Sequence, residues 1–395
     1  MAAEDPSATL AALKDRADRA LMMGDPRAAR ELFQRATALA PGRIDLSMGL
    51  AACERSLGDP AAALAAVEGA LKADPRLFPA LLMKGALLEQ LGLEARAAAI
   101  YGTAIDLSPP PQTLAEPTRR ALEHGREVRE KYTSHLAACL KAEAGVGETT
   151  ALGRRIETFI EAASGRRKMF HQEPMQFHYP GMPAIAFYDR EEFPCLEALD
   201  ARTAAIREEV LNVWTEGSPE LAPYVSYPDG LPLDQWVELN HSLRWSAFHL
   251  WADGAPVEAN CAKCPQTTEA IKLIDQPHVH GRSPAAMFSI LRPRTRIPPH
   301  TGVANTRLVL HLPLIVPEEC GFRVGGETRQ WREGEAWVFD DTIEHEAWNN
   351  SDKPRAVLIC DVWSPRLSGE ERELIARLLA ALDRLSGGAE GSGAL

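Results

Sequence analysis

A step of 34 residues governs the first 110 or so positions of this chain. Gly24, Gly58 and Gly92 stand 34 apart, and so do Ala29, Ala63 and Ala97; Ala36, Ala70 and Ala104; and Pro41, Pro75 and Pro109. Ala17, Ala51 and Gly85 keep the same step. Small residues at fixed positions let two helices of one unit approach closely, and each unit must stack on the next to bury its apolar side. Gly24-Asp25-Pro26 and Gly58-Asp59-Pro60 supply a turn, with proline at the first helical position. The closing proline cannot continue a helix. The spacing predicts three helical pairs at about 10–43, 44–77 and 78–111.

This pattern resembles the tetratricopeptide repeat, an α-solenoid. Pro109-Pro110-Pro111 ends the array, so residues 1–112 are read as the repeat domain. Residues 113–165 are rich in Arg, Glu, Leu and Ala, with Val128, Tyr132, Leu136 and Leu140 at helical spacing. They are read as linker helices that cap the last repeat with a polar face. Such an array is expected to hold a protein or peptide client, or else only to space or oligomerise.

A length of 395 residues is natural for two domains. A net charge of −12 argues against nucleic acid or an anionic membrane as partner. No apolar run reaches the 18 residues that a membrane-spanning helix needs. Glu4 and Asp5 within Met1 to Leu10 do not suit a signal peptide. Seven cysteines in such a chain do not make a disulfide scaffold. A cytoplasmic protein with reduced thiols is therefore expected; its oligomeric state is open.

From about residue 170 prolines, aromatics and β-branched runs take over. Residues 199–214 read as a helix. Trp236-Val237-Glu238-Leu239, Ala286–Leu291, Arg307–Leu312, Gly321–Val324, Ala336–Phe339 and Ala356–Trp363 read as strands. Short strands between turn signals suit a jelly roll, read here over 166–368. Residues 369–386 read as an amphipathic helix and 387–395 as a flexible tail.

Within this region Pro299-His300-Thr301-Gly302 is answered by Asp340-Asp341-Thr342-Ile343-Glu344-His345, and then by Arg355. Two histidines on separate strand-like segments followed by an arginine fit a redox metal beside a 2-oxo acid, whose far carboxylate the arginine clamps. Non-haem Fe(II) oxygenases usually add one carboxylate ligand to two histidines. It normally lies two residues after the first histidine, where this chain has Gly302, which cannot ligate.

The ordered run Met287-Phe288-Ser289, Pro299 to Gly302, Asn305 to Leu308, His311-Leu312, Phe339-Asp340-Asp341, Glu344-His345-Glu346, Trp348 and Asp361-Val362-Trp363 closely resembles the aspartyl/asparaginyl β-hydroxylase family. The resemblance implies a double-stranded β-helix, Fe(II), 2-oxoglutarate and O2, and a two-histidine site with glycine at the third position. It implies His300 and His345 as metal ligands. It implies Arg355 and Ser289 on the distal carboxylate of 2-oxoglutarate, and His311 near its metal-bound end. An arginine expected two residues before His311 is Val309, so Arg307, on the same strand face, is expected to take over part of that charge. Asp341, or else Asp340, is expected to accept from metal-bound water or orient a histidine. The implied reaction hydroxylates the β-carbon of Asp or Asn in a peptide or protein. The same chemistry on a lipid acyl chain or free aspartate, or a non-catalytic 2-oxoglutarate-binding interaction protein, stays open. Cys261-x-x-Cys264 and His278-Val279-His280 are weaker metal-like patterns, and Trp245, Phe248 and Trp251 are candidates for a substrate channel or for plain core.

Overall fold

The computed structural model describes residues 6–145, 147, 150–214 and 220–385. The acidic start at Glu4 and Asp5 and the tail expected over 387–395 lie outside the described residues. The chain divides into two compact units, Met1–Arg167 and Lys168–Leu395.

The first unit is helical. Its pairs are α1 (Pro6–Met22) with α2 (Pro26–Leu39), α3 (Ile44–Ser56) with α4 (Pro60–Ala73), and α5 (Phe78–Gln90) with α6 (Glu94–Asp106). Gly24, Gly58 and Gly92 hold φ of +79°, +79° and +71°, a conformation open to glycine at little cost. Asp25 and Asp59 cap the following helices, accepting from the amides of Ala28 at 3.0 Å and Ala62 at 2.9 Å. The third turn lacks this cap because Leu93 stands in the equivalent place. The periodic alanines at 29, 63, 97, 36, 70 and 104 are wholly buried. Two further helices, α7 (Glu116–Ala144) and α8 (Ala151–Ala163), belong to the same unit. The Tyr101 ring of α6 lies where a Cβ on Gly85 of α5 or Gly125 of α7 would fall, 2.5 Å from each. Two glycines thus let one tyrosine fill the space between three helices.

The second unit opens with α9 (Cys195–Asp200) and α10 (Thr203–Val213), where one helix is expected, and continues with two antiparallel sheets and three more helices. In chain order these are β1 (Ala222–Pro223), β2 (Trp245–Ala252), β3 (Ala255–Pro256), α11 (Glu258–Lys263), α12 (Pro265–Ile271), β4 (Ala286–Leu291), β5 (Thr295–His300), β6 (Arg307–Ile315), β7 (Cys320–Val324), β8 (Glu327–Arg329), β9 (Trp337–Phe339), β10 (His345–Asn349), β11 (Arg355–Trp363) and α13 (Gly369–Leu385). The larger sheet runs β1-β2-β4-β11-β6-β9, with β3 on β2; the smaller runs β5-β10-β7-β8.

Strand alternation divides the larger sheet's side chains between two cores. Phe288, Leu310, Leu358 and their neighbours pack on α9, α10, α11 and α12. Trp245, Leu291, Val309 and Val357 face Ile297, Phe322, Val324 and Ala347 of the smaller sheet. The site lies between the sheets, on this second face.

Trp236-Val237-Glu238-Leu239 is not a strand. Trp236 ends a single 3-10 turn that starts at Asp234, and 237–239 continue as a turn. Trp236 and Leu239 are buried while Val237 is exposed, which is the three-residue spacing of a turn rather than strand alternation.

Candidate active site

His300 closes β5 and His345 opens β10, and the two residues are register partners. Ile297 and His300 oppose Ala347 and His345, so three steps on β5 face two on β10. The extra residue falls in Pro298-Pro299, where proline's missing N–H costs no ladder bond. This bulge turns His300 to the same inner face as Ile297. The two imidazole centroids stand 4.0 Å apart.

Their outer nitrogens are fixed by backbone. His300 Nδ1 donates to the Pro298 carbonyl at 2.8 Å and His345 Nδ1 to the Ile343 carbonyl at 3.1 Å. A carbonyl only accepts, so both protons sit on Nδ1 and both Nε2 atoms carry a lone pair. Burial, and for His300 the neighbouring His345, push these imidazoles down to about 3 and about 4 respectively. Both are neutral at physiological pH, the state a metal ligand requires.

Among the described residues no third His, Cys, Asp or Glu joins them in a metal-holding group. Gly302 gives the reason at the third position. A Cβ there would lie 2.0 Å from Oδ2 of Asp341, whose carboxylate fills that space. Asp341 Oδ2 accepts from Arg307 Nη1 at 2.9 Å, and its Oδ1 is buried without a partner. Asp340 points elsewhere: its carboxylate accepts from the Thr342 amide at 3.0 Å, the Thr342 hydroxyl at 2.6 Å and the Gln172 side chain. Of the two expected alternatives, only Asp341 lines the cavity.

Gly302→Ala is accordingly expected to push Asp341 off Arg307 and to cost roughly 1–3 kcal/mol through overpacking. Thermal unfolding checks this, and adding Asp341→Ala should recover part of the loss by removing the clash. An unaltered melting temperature in Gly302→Ala contradicts the packing.

The cavity encloses about 470 Å3. Arg355, at the start of β11, lies at its foot, 2% exposed. Its Nε and Nη1 have no hydrogen-bond partner, and its guanidinium rests 4.7 Å from the centre of the Trp331 ring. Burial pulls its pKa down to about 10, so the charge persists at neutral pH. A buried cation with two unpartnered nitrogens is expensive unless an anion completes it. Ser289, diagonal to Arg355 across β4 and β11, accepts from Trp245 Nε1 at 3.0 Å and keeps its own proton to donate. His311 is packed by Phe339, Phe322 and Trp331, and its Nδ1 is unpartnered. Burial holds it well below the usual imidazole range, and Arg355 presses on it more than His345 does.

Arg307 lines the cavity with its guanidinium committed to Asp341 and, at 3.4 Å, to Asp361. Burial works against its charge, but the two carboxylates outweigh that and raise its pKa. Val309 presents an apolar wall. Trp245 faces the site and stacks on Tyr224 at 3.8 Å, whereas Phe248 points into the helix-covered core. Cys261 and Cys264 are buried and unbonded, and burial pushes the Cys264 thiol up to about 12. His278 and His280 are both exposed, and only His280 reaches the cavity, at its mouth.

The sequence reading gave no role to Asp361, Trp331, Tyr224 or Trp236, whose ring meets His300 edge-on at 5.2 Å. One signal was available for Asp361: it shares parity with Arg355 on an otherwise apolar strand.

A family model for aspartyl/asparaginyl beta-hydroxylase matches residues 200–365, and one for the tetratricopeptide repeat matches residues 20–82. The aspartyl/asparaginyl beta-hydroxylase of Mus musculus is 38% identical over 144 residues, covering 36% of this chain and 19% of that protein. The ornithine lipid ester-linked acyl 2-hydroxylase of Rhizobium tropici is 35% identical over 196 residues, covering 49% of this chain and 66% of that protein. The aspartate beta-hydroxylase domain-containing protein 2 of Xenopus tropicalis is 30% identical over 217 residues, covering 53% and 55%. The matched region thus spans between 19% and 66% of these relatives' lengths.

Proposed function

We propose, for a chain in which an aspartyl/asparaginyl β-hydroxylase domain follows tetratricopeptide repeats, that Lys168–Leu395 is an Fe(II)- and 2-oxoglutarate-dependent hydroxylase. One observation carries the reading. Arg355 is a fully buried cation with idle donors, at the foot of a cavity whose wall holds two neutral imidazoles. Neither feature pays for itself in a protein that binds nothing there.

The residues divide the work. His300 and His345 offer Nε2 lone pairs to the metal. Arg355 and the Ser289 hydroxyl bind the far carboxylate of 2-oxoglutarate, Arg355 through a charge-assisted pair. His311, neutral and unpartnered at Nδ1, adds one polar contact between them. Asp341 Oδ1 is free to accept from water at the open side of the histidine pair. Trp236, Trp245, Phe322 and Phe339 wall the pair from bulk water. When bound, Fe(II) supplies the redox chemistry by which one oxygen atom of O2 enters a C–H bond and the other enters succinate, with CO2 released.

For the substrate, the β-carbon of Asp or Asn in a peptide or protein is one reading, in line with the names of the animal relatives. An acyl chain is the second, in line with the name of the Rhizobium relative, and the commitment of Arg307 to two carboxylates favours it. The repeats would then hold a protein or peptide client in the first case. Succinate formation from 2-oxoglutarate by Fe(II)-loaded protein tests the hydroxylase reading, and saturable 2-oxoglutarate binding without succinate would favour a sensor.

Removing residues 1–167 is expected to spare uncoupled 2-oxoglutarate turnover, because every site residue lies beyond them, and to impair hydroxylation of a large client. The cut belongs at Arg167 rather than after the prolines at 109–111, because α7 shares Tyr101 packing with α5 and α6. A folded truncation that forms no succinate would assign the repeats a part in building the site.

A further inference from the structure

Along β11 the cavity runs from Trp363 near its mouth to Arg355 at its foot, eight steps or about 26 Å of strand. Arg307 is the register partner of Trp363 and therefore marks the outer end. Trp363 packs there with Ile375 and Leu379 of α13.

Four arginines line this cavity among the described residues. Arg355 is at the foot. Arg282 donates through Nε to Asp383 of α13 at 2.8 Å. Arg384 is exposed at the mouth. Only Arg307 stands on the way from the mouth to the histidines, and it is not free. Asp341 holds it at 2.9 Å and Asp361 at 3.4 Å. Asp361 is itself fixed, accepting from the Ser283 hydroxyl at 2.9 Å and the Ala285 amide at 2.8 Å. One guanidinium between two carboxylates leaves the approach to the histidines with a net negative charge. A substrate carboxylate meets repulsion there and finds no idle cation. Apolar side chains line the same stretch, Phe177, Val303, Ala304, Trp363, Ile375 and Leu379, and the charged groups beside them include two more carboxylates, Asp253 and Asp383.

We propose that the part of the substrate presented to His300 and His345 is an uncharged aliphatic chain, and that Asp361 sets this preference by closing Arg307 to anions. The inference rests on the hydroxylase reading for the reaction, and concerns which molecule enters. Asp361 acts through Arg307 and is a positioning residue.

The test uses the full chain without added metal and with saturating 2-oxoglutarate, so that Arg355 is occupied and the titration reads binding alone. Tryptophan fluorescence follows titration with monolaurin, a neutral twelve-carbon ester, and with ten-residue peptides carrying a central Asp or Asn. Monolaurin is expected to bind saturably and at least about tenfold more tightly than the Asp peptide. Removing one of the two carboxylates in Asp361→Asn is expected to narrow that difference by about tenfold. Leu379→Asp, on the rim, is expected to weaken monolaurin by about tenfold without touching Arg307, Asp341 or Asp361. An Asp or Asn peptide that binds the parent chain more tightly than monolaurin overturns the proposal. So does a folded Asp361→Asn variant whose preference is unchanged. Should that variant not fold, unweakened monolaurin binding by Leu379→Asp overturns it instead. Monolaurin binding with the expected variant effects, but no succinate once Fe(II) and 2-oxoglutarate are supplied, keeps this inference and removes the hydroxylase reading.

Discussion

Alanine at His300 or at His345 is expected to abolish both stoichiometric Fe(II) binding and succinate formation. The expectation is severe because the described residues offer no third protein ligand to hold the metal once one imidazole is gone. Asp341 cannot move in as a replacement without giving up its 2.9 Å bond to Arg307, which would keep only Asp361 at 3.4 Å. Protons do not explain a loss either: the parent imidazoles are held near 3 and 4, so protonation does not compete for Nε2 until the pH falls towards about 4. The measurement is bound iron per chain after anaerobic loading, alongside thermal unfolding to show that the variant is folded. One equivalent of iron with parental turnover in either variant ends the ligand assignment.

The repeat array was legible because its period is carried by residues with few alternatives. A glycine at positive φ, an aspartate cap and a proline at the first helical position each have one local meaning, and they recur every 34 residues. The two-sheet domain was legible from short β-branched and apolar runs between turn signals; Trp236-Val237-Glu238-Leu239 looks like such a run, but two exposed residues, Val237 and Glu238, separate its two buried ones, which is the spacing of a turn. At the site, the motifs single out His300, His345, Arg355 and Ser289, and the fold gathers them around one cavity. What the motifs cannot carry is pairing across strands. That Asp361 neutralises Arg307 depends on the β6–β11 register, and that Asp341 occupies the space above Gly302 depends on a turn between two other strands. Pro298-Pro299 has no structural role in the sequence reading. In the sheet it is the bulge that aims His300 inward.

Arg355→Met separates binding from stability in a way that a structural arginine would not allow. In the parent chain the guanidinium is 2% exposed, its Nε and Nη1 have no hydrogen-bond partner, and it rests against the Trp331 face. Replacing it with an apolar chain of similar length removes a desolvated charge, at the loss of one cation–π contact worth roughly 2 kcal/mol. The ligand-free variant is therefore expected to melt at or above the parental temperature. Its 2-oxoglutarate affinity is expected to fall roughly a hundredfold, about 2.7 kcal/mol, because a buried charge-assisted pair is lost and the ligand's carboxylate is left unpaired. Iron affinity should stay within a few fold of the parent, since neither histidine leans on Arg355. Differential scanning calorimetry of the ligand-free protein and a 2-oxoglutarate titration of the metal-loaded protein give the two numbers. A lowered melting temperature with unchanged 2-oxoglutarate affinity would make Arg355 a structural residue and leave the foot of the cavity without a ligand.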